Sequence, residues 1–347
     1  MPGTHLDMPA GATITSHGRM AADGKATMTG THVGAQLGLG LAAIGRPGYI
    51  TPDRHADLPA DRSPDGLRRR AHELLDAAAG LGIRYVDAAR SYGLAEQFLG
   101  SWLRDRADPP VVASKWGYTY TAEWRPDAVQ HEVKDHGRTA FERQYQESRE
   151  LLGPWLRLYQ VHSLTLDSPL WVDRALQHRL AEVRADGVEV GFSTSGPDQA
   201  TAIRRALELT VDGVPLFRSV QSTWNLLERS AAGALSEAHS AGLRVVVKEA
   251  LANGRLTGRG AAAGTALAEV APAAFARRWG VGLDTVAMAA ALAQPWCDVV
   301  LSGAVRVDQL ADNAAARTLA PDLDTNAFPE PQDPRSYWAA RGRLSWA

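Results

Sequence analysis

Residues 63–89, SPDGLRRRAHELLDAAAGLGIRYVDAA, predict a helix that leads into a buried strand. Ser63 can cap the helix, Pro64 suits its first turn, and apolar residues then recur at helical spacing until Gly80. The following run, 83–89, is apolar almost throughout, which is typical of a parallel strand covered on both faces. This stretch therefore predicts one helix–strand unit of an α/β protein.

Apolar runs of this kind occur eight times along the chain, with helical patterns between them. From residue 83 to residue 243 the predicted strands begin 26 to 45 residues apart, about one βα unit each. Eight such strands predict a closed (β/α)8 TIM barrel. The predicted strands are 37–44, 83–89, 111–116, 156–163, 188–194, 217–225, 243–250 and 299–303, and the helices after the first are 97–105, 139–152, 169–185, 197–209, 230–241, 266–279, 283–293 and 307–319.

The alternative architecture is a doubly wound sheet with a dinucleotide-binding fingerprint. Residues 38–45 read GLGLAAIG, which lacks the G-x-G-x-x-G spacing, and no clear helix follows them. The length of 347 residues would also allow two domains, but a barrel of about 250 residues with long loops accounts for it. We expect one barrel domain over 31–347, preceded by a leader or hairpin in 1–30 and ending in a tail at 319–347, with loops at 45–66 and 117–135.

The composition excludes several classes of protein. Hydrophobic residues make up 45% and charged residues 22% of the chain, as in ordinary globular domains. No apolar stretch approaches the roughly 18 residues of a membrane span, and the first 30 residues lack the apolar core of a signal peptide. We therefore expect a cytoplasmic protein that does not bind a membrane.

The charged residues and the single cysteine narrow the possible partners further. Lys and Arg together number 37 against 39 Asp and Glu, which argues against a nucleic-acid partner. Cys297 alone can form neither an internal disulfide nor a multi-cysteine metal centre, and no metal is expected. The lysines are Lys25, Lys115, Lys134 and Lys248, so a lysine that ends an apolar run needs its own explanation.

Polar residues close several of the predicted strands. In a barrel the carboxyl ends of the strands carry the reactive groups, and here they include Asp87, Lys115 and His162. Burying an unpaired carboxylate or ammonium costs several kcal/mol, so Asp87 and Lys115 would need either each other or solvent, and on adjacent strands they could pair. A lysine at this position also allows a Schiff-base aldolase as an alternative function.

Residues 85–100, YVDAARSYGLAEQFLG, resemble the signature of the aldo-keto reductase family, in which an Asp and a Tyr follow the second barrel strand. The resemblance continues in order from about residue 35 to residue 318. It includes the segments 114–115, 159–162, 191–193, 220–221 with 224–227, and 302–304 with 309–310 and Asn313.

The resemblance implies NAD(P)H-dependent reduction of an aldehyde or ketone, or the reverse oxidation. It implies Tyr92 as the general acid, Lys115 and Asp87 as the pair that tunes it, and His162 as the residue that orients the carbonyl. A neighbouring ammonium is expected to lower the pKa of a phenol from its reference value of about 10. The alternative within the same resemblance is a cofactor-binding sensor or accessory subunit with vestigial activity.

The cofactor implied by the resemblance is NADPH, with NADH as the alternative. Three positions depart from the family pattern: Thr194, Val305, which precedes Arg306, and the segment 248–250. The segment 248–250 stands where the family has an aromatic residue flanked by small ones. The resemblance implies that the cofactor contacts Ser193, Thr194, Gln221, Trp224, Leu251, Gly254, Leu256, Gly303, Arg306, Gln309 and Asn313.

Aromatic residues are frequent in the predicted loops, where they can form a pocket for a small carbonyl or alcohol substrate. The expected substrate contacts are Tyr49, Trp116, Tyr118 and Trp124.

Overall fold

Eight parallel strands close into a barrel in the computed structural model, in which each strand pairs with the next along the chain and the last pairs with the first. This confirms the predicted (β/α)8 TIM barrel. The strands are β1 (Gln36–Gly40), β2 (Tyr85–Asp87), β3 (Val111–Trp116), β4 (Leu156–Val161), β5 (Glu189–Ser193), β6 (Ser219–Thr223), β7 (Arg244–Lys248) and β8 (Val299–Ser302).

Helices surround the barrel and alternate with its strands. They are α1 (Pro64–Gly80), α2 (Ala95–Leu103), α3 (Arg138–Leu152), α4 (Arg174–Ala185), α5 (Gln199–Leu207), α6 (Ala232–Ser240), α7 (Leu283–Leu292), α8 (Val307–Leu319) and α9 (Pro334–Gly342). The structure describes residues 35–50, 57–258, 277, 280–323, 328, 330–344 and 346. The predicted leader or hairpin at 1–30 lies outside these residues, as does all of the predicted helix 266–279 except residue 277. Within the described ranges no helix is long and apolar enough to cross a membrane.

The helix–strand unit at 63–89 forms as its sequence predicts. The Ser63 hydroxyl accepts a hydrogen bond from the backbone N–H of Gly66 at 3.1 Å and so caps α1. The apolar stripe of α1 packs against the barrel and is almost fully buried, and each large side chain in it contributes about 2 kcal/mol of burial free energy. The buried members of the stripe are Leu67, Ala71, Leu74, Leu75 and Ala78.

A glycine in the first strand sets the packing inside the barrel. A Cβ at Gly38 would lie 2.9 Å from side-chain carbons of Leu301 and Val299, which project into the interior from β8. Side chains from several strands fill this interior, so the barrel is a packed core rather than a channel. The functional cavity therefore lies above this layer, at the carboxyl ends of the strands.

Several element boundaries differ from the prediction. The apolar run 37–44 leaves the sheet after Gly40, where the chain turns. The predicted helix 169–185 is divided into a 3₁₀ turn, Pro169–Trp171, and α4, because Asp173 caps a new helix by accepting from the N–H of Leu176.

Two predicted irregular segments contain regular structure. The loop 117–135 holds an antiparallel hairpin in which Tyr118–Tyr120 pairs with Glu132–Lys134. The tail 319–347 contains α9, and its Tyr337 is fully buried. Hydrophobic burial against the barrel holds the tail helix in place.

Candidate active site

A cavity of about 720 Å³ opens at the carboxyl ends of the barrel strands. Its wall includes residues that follow or end strands on opposite sides of the barrel, together with parts of the loops after β1 and β7 and of the C-terminal tail. Residues at the strand ends that line it are Gly40, Asp87, His162, Gln221, Lys248 and Ser302.

Asp87, Tyr92 and Lys115 form one connected group at the floor of this cavity. The Lys115 ammonium forms an ion pair with Asp87 and donates to the carbonyl oxygen of Ala88 at 3.1 Å and to the Tyr92 hydroxyl at 3.2 Å. The other oxygen of Asp87 accepts from Nε2 of Gln221 at 2.9 Å. Of the two expected arrangements, pairing with each other or contact with solvent, the structure shows Asp87 and Lys115 paired and buried.

His162 stands beside Tyr92 at the same end of the barrel. The two rings meet edge to face with their centroids 5.5 Å apart, and both side chains line the cavity. The backbone of His162 is held by a second histidine, because its carbonyl oxygen lies 2.8 Å from Nε2 of the buried His136. The structure thus brings together all four residues predicted to form the catalytic group.

The electrostatics around Tyr92 differ from the expectation. Burial, reinforced by the negative charge of Asp87, raises the pKa of Tyr92 well above its ordinary value. The expected lowering by Lys115 does not prevail, because that ammonium is itself neutralised by Asp87. Burial also lowers the pKa of Lys115, although Asp87 opposes this. Tyr92 is therefore a neutral phenol near pH 7.

The imidazole of His162 is held in its neutral form. Burial lowers its pKa well below the ordinary value, and the nearby cations Lys115, Lys248 and Arg46 act in the same direction. A neutral imidazole has one N–H to donate and one nitrogen that accepts. Such a ring can donate a hydrogen bond to a carbonyl oxygen without carrying a charge.

The predicted cofactor contacts divide into two groups. Those at the ends of β6 and β8, and in the segments after β7 and β8, face the cavity. These are Gln221, Leu251, Gly254, Gly303, Gln309 and Asn313.

The other predicted cofactor contacts do not line the cavity. Ser193 accepts from the N–H of Ser163 at 2.8 Å, and Thr194 donates to Ser222 at 2.8 Å within the core. Trp224 is 2% exposed and meets Trp296 edge to face, with ring centroids 5.9 Å apart. Leu256 is buried as well, and the partly exposed Arg306 pairs with Asp57 and Asp308.

Unpartnered polar atoms mark where the cavity wall could hold a polar ligand. Among the residues that the structure describes, Oδ1 of Asn253, Oδ1 of Asn313 and Nη2 of Arg255 are buried and have no hydrogen-bond partner, and all three residues line the cavity. Buried polar groups normally have partners, so these atoms favour a bound molecule with both donors and acceptors. A Cβ at Gly303 would meet no atom within 4 Å, which leaves open space beside them. The donors, the acceptors and the guanidinium fit a nicotinamide dinucleotide.

Of the four predicted substrate contacts, two line the cavity and two do not. Tyr49 and Tyr118 line the cavity. Trp116 is fully buried against Phe141, and Trp124 is directed to the carbonyl oxygen of Arg62, to which its indole N–H donates at 2.8 Å. These two tryptophans therefore act in packing, and the structure does not bring them to the cavity.

A cluster of side chains around Arg46 was not predicted from the sequence. Arg46 itself lines the cavity. Arg46 is 2% exposed, pairs with Glu132 and lies over the ring of Trp346 at 4.6 Å. Trp346 in turn stacks on His131 with centroids 4.2 Å apart. These residues are far apart along the chain and carry no shared motif, so no local signal could have identified them.

A second charged cluster lies at the end of β7, within the segment 248–250. The Nε–H of Arg341 is shared between the two carboxylate oxygens of Glu249, at 3.0 and 3.1 Å, and Nη2 of Arg341 donates to the same carboxylate. Lys248 donates to Thr223 at 2.9 Å. Burial alone would raise the pKa of Glu249, but the charges of Arg341 and Lys248 outweigh it and lower this pKa to about 2. Glu249 has a φ of 56°, unusual for a residue with a side chain, and its ion pair holds this turn.

The part of the chain that the structure describes holds no group of three or more His, Cys, Asp or Glu residues that could bind a metal ion.

Two curated relatives match about half of this chain. A pyridoxal 4-dehydrogenase of Microbacterium luteolum is 29% identical over 204 residues, which cover 50% of this chain and 54% of the relative. The aldo-keto reductase ausK of Emericella nidulans is 26% identical over 197 residues, which cover 54% of this chain and 48% of the relative. The chain thus spans about half the length of the curated relatives it matches.

Solved structures share the fold over most of the chain. The aldo-keto reductase AKR11C1 from Bacillus halodurans, in its holo form, superposes with a TM-score of 0.61 at 21% identity, covering 88% of this chain and 91% of that one. The glycerol dehydrogenase AKR11B4 from Gluconobacter oxydans gives a TM-score of 0.60 at 19% identity, covering 86% and 94%. At these identities the likeness shows the fold alone.

The sequence matches a family model over nearly the whole region that the structure describes. The model of the Aldo/keto reductase family matches residues 37–329, which begin in β1 and extend beyond α8. The match includes the strand ends that carry Asp87, Lys115 and His162 and the loop that carries Tyr92. With this match and the closed barrel, the chain belongs to the aldo/keto reductase family.

Proposed function

We propose that this chain is an NAD(P)H-dependent oxidoreductase that reduces an aldehyde or ketone to an alcohol, or catalyses the reverse oxidation. The observation that carries the proposal is the 3.2 Å hydrogen bond from Lys115 to the Tyr92 hydroxyl, in a cavity that also presents His162. In this proposal a carbonyl oxygen in the cavity contacts both Tyr92, as the proton donor, and His162, as a hydrogen-bond donor.

Tyr92 acts as the general acid in the direction of reduction. Its raised pKa keeps the phenol protonated before reaction, so it has a proton to give. When that proton leaves, the phenolate lies within hydrogen-bond distance of the Lys115 ammonium, which stabilises the new negative charge. Asp87 holds Lys115 in place through their ion pair.

His162 orients the carbonyl group. As a neutral imidazole beside Tyr92, it can donate a hydrogen bond to the oxygen on which negative charge develops. His136 supports it by contacting its carbonyl oxygen, which fixes the backbone after β4.

The cofactor in this proposal is a reduced nicotinamide dinucleotide, which supplies the hydride to the carbonyl carbon when bound. Gln221 faces the catalytic group, and Arg255 provides a cation for the phosphates. Asn253 and Asn313 add unpartnered oxygen acceptors along the same wall. NADPH is the proposed form, with Arg306 as the residue that would contact its additional phosphate once released from Asp308.

The substrate in this proposal is a small carbonyl compound or alcohol. Tyr49, Tyr118 and Trp346 give the open part of the cavity an aromatic wall, and the Arg46–Glu132 pair adds charge beside it. The pyridoxal 4-dehydrogenase among the relatives makes an aromatic aldehyde a reasonable first compound to assay.

The aldolase alternative finds no support in the geometry. The Lys115 side chain is 1% exposed, and its ammonium already contacts Asp87, Ala88 and Tyr92. An amine in this position would have to give up these contacts before it could attack a carbonyl carbon.

The test is cofactor titration followed by a panel of aldehydes, with wild type and Tyr92→Phe compared directly. Wild type should oxidise NADPH or NADH with at least one aldehyde, while Tyr92→Phe should bind cofactor equally well but turn over about 10²–10⁴-fold more slowly. Tyr145→Phe, outside the cavity lining, is the matched control. Full activity of Tyr92→Phe would refute the assigned mechanism, and tight cofactor binding by a wild type that reduces no carbonyl would favour a sensor or accessory subunit.

A further inference from the structure

The barrel places the buried Lys115 and the partly buried Lys248 on opposite strands. Strands pair in chain order around the closed barrel, so β7, which ends at Lys248, lies across from β3, which carries Lys115. The proton-donating groups follow β2, β3 and β4, on one side. The opposite side is formed by β6, β7 and β8, whose ends present Gln221, Lys248 and Ser302 to the cavity.

Under the proposed function, a hydride donor must approach from this opposite side. A carbonyl oxygen bound by Tyr92 and His162 turns its carbon away from them, toward β6, β7 and β8. The wall there continues into the segment after β7 and into α8, where the unpartnered atoms of Asn253, Arg255 and Asn313 lie. The nicotinamide end of a bound cofactor therefore shares this region of the cavity with Lys248.

Lys248 brings a positive charge to this region that is not fully balanced. Its ammonium donates to Thr223 at 2.9 Å and lies 3.8 Å from Glu249. That carboxylate is engaged more closely by Arg341, so two cations share one anion. Burial lowers the pKa of Lys248 to about 8 despite the opposing charge of Glu249, which still leaves the amine mostly protonated at pH 7.

The charge of Lys248 also reaches the catalytic group. It contributes to the lowered pKa of His162, together with Lys115 and Arg46. Within the cavity the effective dielectric constant is below that of water, so the charge of Lys248 is screened less than it would be in bulk solvent.

A nicotinamide ring is neutral when reduced and carries a positive charge when oxidised. We propose that Lys248 makes the cavity discriminate between these two states, weakening the binding of the oxidised cofactor relative to the reduced one. The enzyme would thereby be suited to bind reduced cofactor and release the oxidised form. This inference rests on the proposed function and adds to it a residue that determines the redox specificity of the cofactor site.

The experiment measures dissociation constants by titration calorimetry at pH 7 for NADPH, NADP⁺, NADH and NAD⁺. The quantity compared is the ratio of the oxidised to the reduced dissociation constant. In Lys248→Met this ratio should fall on the order of tenfold, because the repulsion of the oxidised ring is removed. Lys248→Gln, which can keep a hydrogen bond to Thr223, should show the same fall as a second neutral variant.

Two control variants separate charge from packing. Lys248→Arg keeps the charge and should keep a ratio close to that of wild type. Lys134→Met removes a lysine outside the cavity lining and should leave the ratio unchanged. Equal weakening of both redox states in Lys248→Met and Lys248→Gln would overturn the inference and leave the proposed function intact. Failure of the wild type to bind any of the four cofactors would refute the proposed function, and this inference with it.

Discussion

The Lys115 ammonium lies 3.2 Å from the Tyr92 hydroxyl while it is paired with the buried carboxylate of Asp87. One side chain thus serves both the stability of the barrel and the proposed chemistry. Removing either member of a buried ion pair leaves an uncompensated charge, whereas removing both does not.

Lys115→Met should therefore lower the free energy of unfolding by about 3 kcal/mol, and Asp87→Asn combined with Lys115→Met should recover much of that loss. Activity should stay low in both proteins, because neither has a cation beside Tyr92. Urea unfolding and aldehyde reduction measured on the same preparations check this. A double variant no more stable than Lys115→Met would show that the pair does not account for the loss.

His136 should make the protein less stable in mild acid. Burial lowers the pKa of His136 to about 4, and its ring nitrogens contact His162 and Ser168 at 2.8 Å. The unfolded chain takes up a proton on this residue as the pH falls below about 6.5, but the folded chain does not, so stability is lost as the pH falls from there toward the folded pKa. The expected loss from this residue is about 2 kcal/mol between pH 7.5 and pH 5.

Urea unfolding of wild type and His136→Gln at both pH values measures this contribution. The wild type should lose more stability than the variant over the same interval, and the remaining loss in the variant should include His162, whose pKa is lowered in the same direction. Equal losses in the two proteins would contradict the assignment to His136.

Arg341 should link the C-terminal helix to the cavity. It pairs with Glu249, which is buried and ionised, so Arg341→Met should cost about 2 kcal/mol of unfolding free energy. The double variant with Arg341→Met and Glu249→Gln should regain part of the lost unfolding free energy. Arg335→Met, on an exposed position of the same helix, should change stability little. If Arg341→Met and Arg335→Met have equal effects, the pair is not what holds the helix.

Arg306 should determine the preference between NADPH and NADH. Its guanidinium is shared between Asp308 and Asp57, with Nη1 donating to Asp57 at 3.1 Å. Arg306→Met should raise the dissociation constant of NADPH about tenfold and leave that of NADH unchanged. Asp308→Asn, which removes one of the two carboxylates that hold the guanidinium, should favour NADPH further. Arg317→Met on the same helix is the control, and an unchanged ratio in Arg306→Met would exclude this role.

Side-chain direction within buried strands limited the prediction of the cofactor site. Runs such as 188–194 and 217–225 form strands that are buried on both faces over most of their length, so their sequence does not reveal which residues point into the barrel and which toward the helices. Ser193, Thr194 and Trp224 were expected at the cofactor and instead bond or pack away from the cavity.

Contacts between segments that are far apart in sequence could not be predicted either. Arg341 and Glu249 are 92 residues apart in sequence. Trp346 stacks on His131, although these two residues are even farther apart in sequence. Nothing in the local pattern of either segment specifies its partner. Both contacts depend on where the tail folds back over the cavity.

By itself the sequence determined the alternation of helices and strands and the polar residues that end the strands, because periodicity, caps and apolar runs are local properties of the chain. In a parallel barrel all carboxyl ends lie at one edge, which is why Asp87, Lys115 and His162 could be expected to meet. Only the tertiary structure decided the upward shift of the pKa of Tyr92, the ion pair between Arg341 of α9 and Glu249, and the position of Lys248 across the cavity. Those properties depend on burial and on the distances between groups that the chain brings together only when it folds.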